Sequence, residues 1–167
     1  KQFSKLISGS RNSTHTYVTF QRKLINDDFN ITLNSNISVF NDYGTTDIIT
    51  YHKGFGESVI MFENGSSNKN EKKFTISASS GLYLTYSYPT LSTIEITLEF
   101  NSQGYIAIGF GNQMVDSDII ICYFNNGNPV LEDVIASGYS KPSKKTLQLT
   151  KLISLTLSGR LSTDLLK

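Results

Sequence analysis

Cysteine, tryptophan and long apolar runs are scarce or missing in this chain of 167 residues. The single cysteine, Cys122, cannot form a disulfide within the chain, and its apolar neighbours predict a buried small side chain rather than a reactive thiol. The longest apolar run, Ile119–Phe124, is far shorter than the roughly 20 residues of a membrane-spanning helix. We therefore expect neither an internal crosslink nor a membrane span.

An excess of charge of either sign is also missing. Fifteen Lys and Arg residues against fourteen Asp and Glu residues give a formal net charge of +1, and the basic residues are scattered along the chain. A nucleic-acid-binding surface normally gathers basic residues into a patch or stripe. The charge pattern therefore argues against a nucleic-acid partner.

Motifs of the common catalytic sites are missing as well. The sequence has no Gly-x-Ser-x-Gly, no phosphate-binding loop and no His-Glu-x-x-His. Asp116 and Asp118 could recruit calcium, but two carboxylates without a third favour a solvated loop capped by Asp side chains. Glu132 and Asp133 are expected in a turn or at a strand end. We expect no enzymatic activity and no metal site.

Four Asn-x-Ser/Thr sequons are present in the first 66 residues, at Asn12, Asn30, Asn36 and Asn64. Each lies beside polar residues typical of turns, where a glycan can be attached at the surface. The sequons therefore predict N-linked glycans on a secreted, extracellular protein.

Alternation of apolar and polar residues predicts strands through most of the chain. The segments "STIEITLEF" and "GYIAIGF" alternate in this way, and polar turn residues such as those at 125–129 separate the apolar runs. Residues 14–62 and 73–157 should be almost all β, in an antiparallel immunoglobulin-like β-sandwich. The expected core positions are Tyr17, Phe20, Ile94, Ile96, Leu98, Ile106, Ile108, Ile120 and Cys122.

Two features divide the chain. Residues 63–73, "ENGSSNKNEKK", contain no apolar residue and are expected to be a linker between a segment at 1–62 and a segment at 74–167. In addition, "QFSKLIS" at 2–8 returns as "QLTKLIS" at 148–154, with five of seven positions identical and a spacing of 146 residues. That spacing is the length of a domain, which predicts a slice of a tandem array; a chance match is the alternative.

Residues 104–142 resemble the first half of a DOMON domain, the extracellular β-sandwich module found beside copper monooxygenases and in secreted b-type cytochromes. The matching features include the Gly104–Phe110 strand, Met114-Val115, and the acidic residues Asp118 and Asp133. The resemblance implies a β-sandwich fold and an extracellular location.

Residues 12–58 resemble the second half of the same domain, through Phe20-x-Arg22-x-Leu24, Tyr43-Gly44 and Tyr51-His52. The family usually has a tryptophan before the Tyr-Gly turn, where this chain has Asn41-Asp42. Because the halves are in reversed order, residues 1–62 would be a second half, and residues 74–167 the first half of the next repeat, or of the same sandwich if it is permuted.

Two functional hypotheses follow. In the first, the chain is a non-catalytic structural subunit of a glycosylated extracellular fibre or adhesive stalk, which self-associates head to tail into a filament by strand complementation. In the second, it is a secreted cytochrome or sugar-binding module. For a cytochrome the resemblance implies Met114 and His52 as axial ligands of haem b, whereas a core role is the alternative for Met114. We favour the first hypothesis and expect no bound cofactor, because the first uses features of the whole chain.

Overall fold

A computed structural model describes residues 4–26, 29–49, 53–64, 72–77, 81–111, 116–136 and 143–144. These residues form eleven strands, and none of them forms a helix long and apolar enough to cross a membrane. The strands are β1 (Ser4–Arg11), β2 (Thr16–Lys23), β3 (Asn36–Tyr43), β4 (Gly54–Met61), β5 (Lys72–Ser77), β6 (Leu82–Thr90), β7 (Thr93–Phe100), β8 (Ile106–Phe110), β9 (Asp118–Asn125), β10 (Asn128–Ile135) and β11 (Ser143–Lys144).

The strands form two sheets in which every described pairing is antiparallel. The five-stranded sheet has the order β1-β2-β7-β6-β5, and the six-stranded sheet has the order β11-β10-β9-β8-β3-β4. One apolar cluster takes side chains from both sheets, so the sheets pack face to face. The predicted all-β antiparallel sandwich is confirmed.

Strands from the two predicted segments pair directly with each other. In the five-stranded sheet β2 pairs with β7, and in the six-stranded sheet β3 pairs with β8. Residues before and after the predicted linker therefore lie in one sandwich within one chain. β5 begins at Lys72, inside the segment predicted as a linker.

Polar contacts join the two sheets at both edges of the sandwich. On one side, the backbone N–H of Ser4 in β1 donates to Asp133 Oδ2 in β10 at 2.9 Å. On the other side, Ser58 Oγ in β4 donates to the carbonyl of Ile76 in β5 at 2.8 Å. These contacts join β1 and β5, the two edge strands of the five-stranded sheet, to β10 and β4 of the other sheet. Each edge strand of the five-stranded sheet therefore has a partner beyond its own sheet.

The core follows the alternation of the strands. Eight of the nine predicted core positions are buried, and the exception is Tyr17, which is half-buried. The prediction for Tyr17 is wrong because Val18, the next residue along β2, points inward at 1% exposure. Tyr17 lies opposite Glu99 on the outer face of the five-stranded sheet and stacks on His15, with ring centroids 5.9 Å apart.

The predicted turn at 125–129 is the hairpin between β9 and β10. Asn126 and Gly127 have φ angles of 50° and 78°, the left-handed values of a two-residue turn with both central residues at positive φ. Asn and Gly adopt this conformation at the least cost. The sequence Asn126-Gly127 therefore accounts for the tight turn between β9 and β10.

Candidate functional site

The two predicted haem ligands, Met114 and His52, lie outside the described residues. The neighbouring residues are described: the N–H of Gly111 donates to the carbonyl of Ser38 at 3.3 Å, and the N–H of Lys53 donates to the carbonyl of Tyr43 at 2.8 Å. Ser38 and Tyr43 are five residues apart on β3, a separation of about 16 Å at the usual rise of a strand. Gly111 and Lys53 therefore contact β3 near its opposite ends.

All four sequon asparagines, Asn12, Asn30, Asn36 and Asn64, are exposed. Asn12 shapes its own turn, since its Oδ1 accepts hydrogen bonds from the backbone N–H groups of Thr14 and His15, both at 2.8 Å. Exposure is the first requirement for attachment of a glycan. Glycosylation at the four positions stays a prediction.

The expectation of a solvated acidic loop is wrong for Asp118. Asp116 is exposed, but Asp118 is 1% exposed and its Oδ2 lies 2.9 Å from Arg22 Nη1. Asp118 begins β9 and points into the sandwich, whereas Arg22 points inward from β2 in the other sheet. The carboxylate is therefore half of a buried ion pair that connects the sheets.

Arg22 has further partners in the interior. Its Nη2 donates to the carbonyl of Phe29 at 2.8 Å, and its guanidinium lies 4.7 Å from the centre of the Phe110 ring. A buried cation is tolerated when it is paired and its donors find acceptors. The Phe-x-Arg-x-Leu motif at residues 20–24 thus places one charged residue in an otherwise apolar row, opposite the carboxylate that neutralises it.

Glu132 and Asp133 were expected in a turn or at a strand end, and this is wrong because both lie inside β10. Glu132 Oε1 accepts a hydrogen bond from the Tyr123 hydroxyl at 3.1 Å. Asp133 is 7% exposed and receives the Ser4 N–H described above. Both carboxylates therefore hold neighbouring strands together.

An open cleft lies at one end of the sandwich. It is formed by the end of β1, the loop after β3, the loop after β7 and the β9–β10 hairpin. Its lining residues are Gly9, Ser10, Arg11, Asn12, Asp47, Gln103, Phe124 and Gly127. The cleft is lined mainly by polar residues, and its charged groups are Arg11 and Asp47.

Arg11 is the centre of the cleft. Its Nη1 donates to Asp47 Oδ2 at 2.6 Å, its Nη2 to the carbonyl of Gly104 at 2.6 Å and its Nε to Thr16 Oγ1 at 3.0 Å. The guanidinium also lies over Phe124, 4.3 Å from the ring centre. All three nitrogens thus contact the protein itself, and one face of the guanidinium is covered.

Asp47 is bound from two sides. Besides Arg11, the backbone N–H of Phe124 donates to its Oδ1 at 3.0 Å. Burial acts to raise the pKa of Asp47, but the hydrogen bonds from Arg11 and Phe124 and the charge of Arg11 together hold that pKa below its ordinary value of 3.8. The carboxylate is therefore ionised at neutral pH and is poorly suited to act as a general acid or base.

Glycine at 104 brings two loops of the cleft together. Gly104 has a φ of 117°, and a Cβ at this position would lie 2.1 Å from the carbonyl oxygen of Gly44. Only glycine allows this approach of the two backbones. The carbonyl of Gly104 is thereby positioned to accept the hydrogen bond from Arg11.

The cleft holds together four chain segments and resembles a structural junction more than a reaction centre. Within the described ranges, no group of three or more His, Cys, Asp or Glu side chains could hold a metal ion. Sequence reasoning missed Arg11, Asp47 and Phe124, because none of them belongs to a recognisable motif. The left-handed glycine at 104 was the only local signal.

The comparisons with known proteins agree with the fold. The family model of the DOMON domain matches residues 78–163, which is just over half of the chain. No curated protein and no solved structure matches the chain. The match covers the segment that carries the Gly104–Phe110 strand, Asp118 and Asp133, so the chain belongs to the DOMON domain family.

Proposed function

We propose that the chain is a non-catalytic structural module of an extracellular, glycosylated fibre or stalk, in which DOMON sandwiches follow one another head to tail. DOMON domains are typically extracellular modules, some of which bind ligands or transfer electrons. This proposal assigns the chain to assembly rather than to either of those activities.

The observation that carries the proposal is the agreement between the repeat and the sandwich. The first copy of the repeat enters β1, which begins at Ser4, and the described sandwich ends with Lys144 in β11. The second copy begins at residue 148, so the described sandwich fits within one 146-residue period. A period that matches one folded unit is the expected signature of an array of such units.

The pairing of β2 with β7 and of β3 with β8 favours one form of this array. Each unit then closes its own sandwich within one chain, instead of sharing half-sandwiches with its neighbours. Contacts between complete units would be heterologous, and a heterologous contact that does not close a ring propagates as a filament.

An exposed apolar face on β4 supports contacts between units. Phe55, Val59 and Met61 are 50%, 61% and 43% exposed on the outward face of this edge strand. The exposed Glu57 lies between Phe55 and Val59 on the same face. An apolar patch on a sheet edge favours association with another protein surface. The four exposed sequon asparagines are consistent with an extracellular setting.

The experiment is electron microscopy and light scattering of the protein produced with its glycans. We expect long unbranched fibres with a regular axial repeat. Val59→Glu should weaken assembly, whereas Leu91→Glu should not, because Leu91 is 98% exposed at the turn between β6 and β7. A discrete monomer at all concentrations, with the mass of one 18.6 kDa polypeptide and its glycans, would contradict the proposal.

An absorbance spectrum tests the cytochrome hypothesis with the same sample. A haem b held by Met114 and His52 would give a strong Soret band after reconstitution, whereas a structural module would give none. A Soret band that disappears in both Met114→Ala and His52→Ala would favour electron transfer over assembly.

A further inference from the structure

The repeated segment has a defined place in the fold. Its first copy, QFSKLIS at residues 2–8, supplies most of β1 (Ser4–Arg11), whereas its second copy, QLTKLIS at residues 148–154, lies outside the described residues. The four residues Lys-Leu-Ile-Ser are the same in both copies. Any surface that recognises β1 through these residues will therefore recognise the second copy.

The surface that recognises β1 is the edge of β2. Lys5 lies opposite Gln21 and Leu6 opposite Phe20, and the register then shifts at Ile7 so that Ser8 lies opposite Thr19. Leu6 packs against the main apolar cluster, and Lys5 is exposed. The second copy has the same residue types for each of these contacts.

Among the described strands, β1 lies at the edge of the five-stranded sheet and pairs within it only with β2. Exchange of this strand for the second copy would break one ladder within that sheet and form again its part from Ser4 to Ser8, but not the pairs that residues 9–11 make with β2. Exchange of identical elements between protein copies is a low-cost route to assembly for this reason. The edge of β2 is therefore a site that either copy of the repeat can occupy.

The described chain ends close to the place where β1 begins. Lys144 in β11 lies opposite Val134 in β10, and the preceding residue of β10, Asp133, accepts the hydrogen bond from Ser4 N–H. Three residues separate Lys144 from Gln148, so the second copy begins within about 14 Å of Lys144. Lys144 thus lies near the end of the sandwich where β1 begins along the edge of β2.

The family match separates the two copies. It covers residues 78–163 and so includes the second copy but not the first. The family model therefore includes the second copy of the repeat, although the first copy, in β1, occupies the edge of β2 in this chain. The position of the family match is an observation that does not depend on the similarity between the two copies.

We propose that residues 148–154 are a donor strand for a second copy of this sandwich, where they pair with β2 in the register of β1 and take the place of that copy's β1. The inference rests on the proposed head-to-tail assembly and gives it a specific contact. The donor ends at Ser154, because β1 continues with Gly9, where a Cβ would lie 2.4 Å from Pro129 Cβ. The second copy continues instead with Leu155.

Disulfide trapping between two full-length chains tests this pairing. The acceptor carries Gln21→Cys. It also carries Leu6→Asp and Leu152→Asp, which weaken the pairing of both of its own copies of the repeat with the edge of β2. The donor carries Lys151→Cys, at the position that corresponds to Lys5 opposite Gln21. Native Cys122 should not interfere, because burial raises the pKa of its thiol to about 12.

We expect a disulfide-linked dimer of acceptor and donor under mild oxidation. A donor that also carries Leu152→Asp should give at least tenfold less dimer, and one that carries Leu155→Gly should give more. A single chain with Lys5→Cys and Gln21→Cys is the positive control and should close internally. Equal yields from the Lys151→Cys donors with and without Leu152→Asp would overturn the proposal.

Two further measurements keep the test decisive. Protection of Cys122 from a thiol reagent shows that the acceptor is folded, and Leu6→Ser replaces Leu6→Asp if it is not. In a chain that carries only Gln21→Cys and Lys151→Cys, we expect linked dimers and larger species; an internal disulfide alone would overturn the assignment to a second copy. Fibres that form normally with Leu152→Asp would also overturn the donor-strand assignment but would leave the proposed fibre function intact. A protein that never assembles would overturn the proposed fibre function.

Discussion

Two Arg–Asp pairs connect the sheets of this sandwich, one in its interior and one at its open end. The side chains of Arg22 and Asp118 are 0% and 1% exposed, whereas those of Arg11 and Asp47 are 14% and 36% exposed. Both pairs join the five-stranded sheet to a segment of the six-stranded sheet. Because both pairs join an arginine to an aspartate, a comparison of their contributions to stability shows the effect of solvent exposure.

Burial changes what the loss of one partner does. An ion pair near the surface adds little to the stability of the fold, since water and salt screen it and either charge can be solvated alone. A buried ion pair also adds little stability compared with apolar side chains in the same place, because both charges lose their hydration. Removing one buried partner, however, leaves the other charged in an apolar interior, which is far more costly.

The largest effect is therefore expected at the buried pair. Arg22→Met should lower the free energy of unfolding by about 3 to 5 kcal/mol, because it leaves the Asp118 carboxylate buried without its cation. Denaturant unfolding followed by circular dichroism measures this change.

The matched control removes both charges. Arg22→Met combined with Asp118→Leu should recover most of the loss, apart from about 1 kcal/mol for the hydrogen bond from Arg22 to Phe29. If the double variant is as unstable as the sum of the single variants, the two side chains do not act as a pair.

A smaller effect is expected in the cleft. Arg11→Met should lower the free energy of unfolding by about 1 kcal/mol, since the ion pair is partly solvated and the cation–π contact with Phe124 is modest. Lys23→Met is the control for the change in net charge, because Lys23 is an exposed lysine at the end of β2. A loss as large as that of Arg22→Met would remove the distinction between the two pairs.

Most of the sandwich could be predicted from the sequence because its strands are buried on one face. Alternation in residues 92–100 predicted the inward positions of β7, and Asn126-Gly127 predicted the hairpin after β9. Side chains alternate with a period of two along a strand, so Tyr17 and Phe20, three residues apart on β2, cannot both point inward, and the prediction for Tyr17 was wrong. The shared sandwich of the two segments depends on pairings such as β2 with β7, which join residues far apart in the chain.

The ion pairs could not be predicted in the same way. Arg22 belonged to a recognised motif, but its partner Asp118 comes from the other sheet, and a charged residue before an apolar strand is normally a loop residue. Asp47 lies in a polar loop, where nothing local distinguishes a carboxylate that binds Arg11 from a solvated one. Contacts of this kind are set by how two sheets pack, which the periodicity of a single strand does not specify.

The smallest effect, and the sharpest test of the exposed pair, is its dependence on pH. The pKa of Asp47 in the folded chain lies below its ordinary value of 3.8, so the folded state favours the ionised carboxylate more than the unfolded state does. Its contribution to stability is therefore fully present above about pH 5 and is lost as pH falls through about 4 and on through the folded pKa.

We compare Asp47→Asn with the parent chain by denaturant unfolding at several pH values, because the other acidic groups are common to both and cancel in the difference. The parent should be slightly more stable at pH 7, and this advantage should shrink steadily below about pH 4. Salt at about 1 M should reduce the advantage at pH 7, since a partly solvated pair is screened. An advantage that grows as the pH falls would show that the carboxyl group is stabilised in its protonated form, and Arg11 would then not be the partner that governs it.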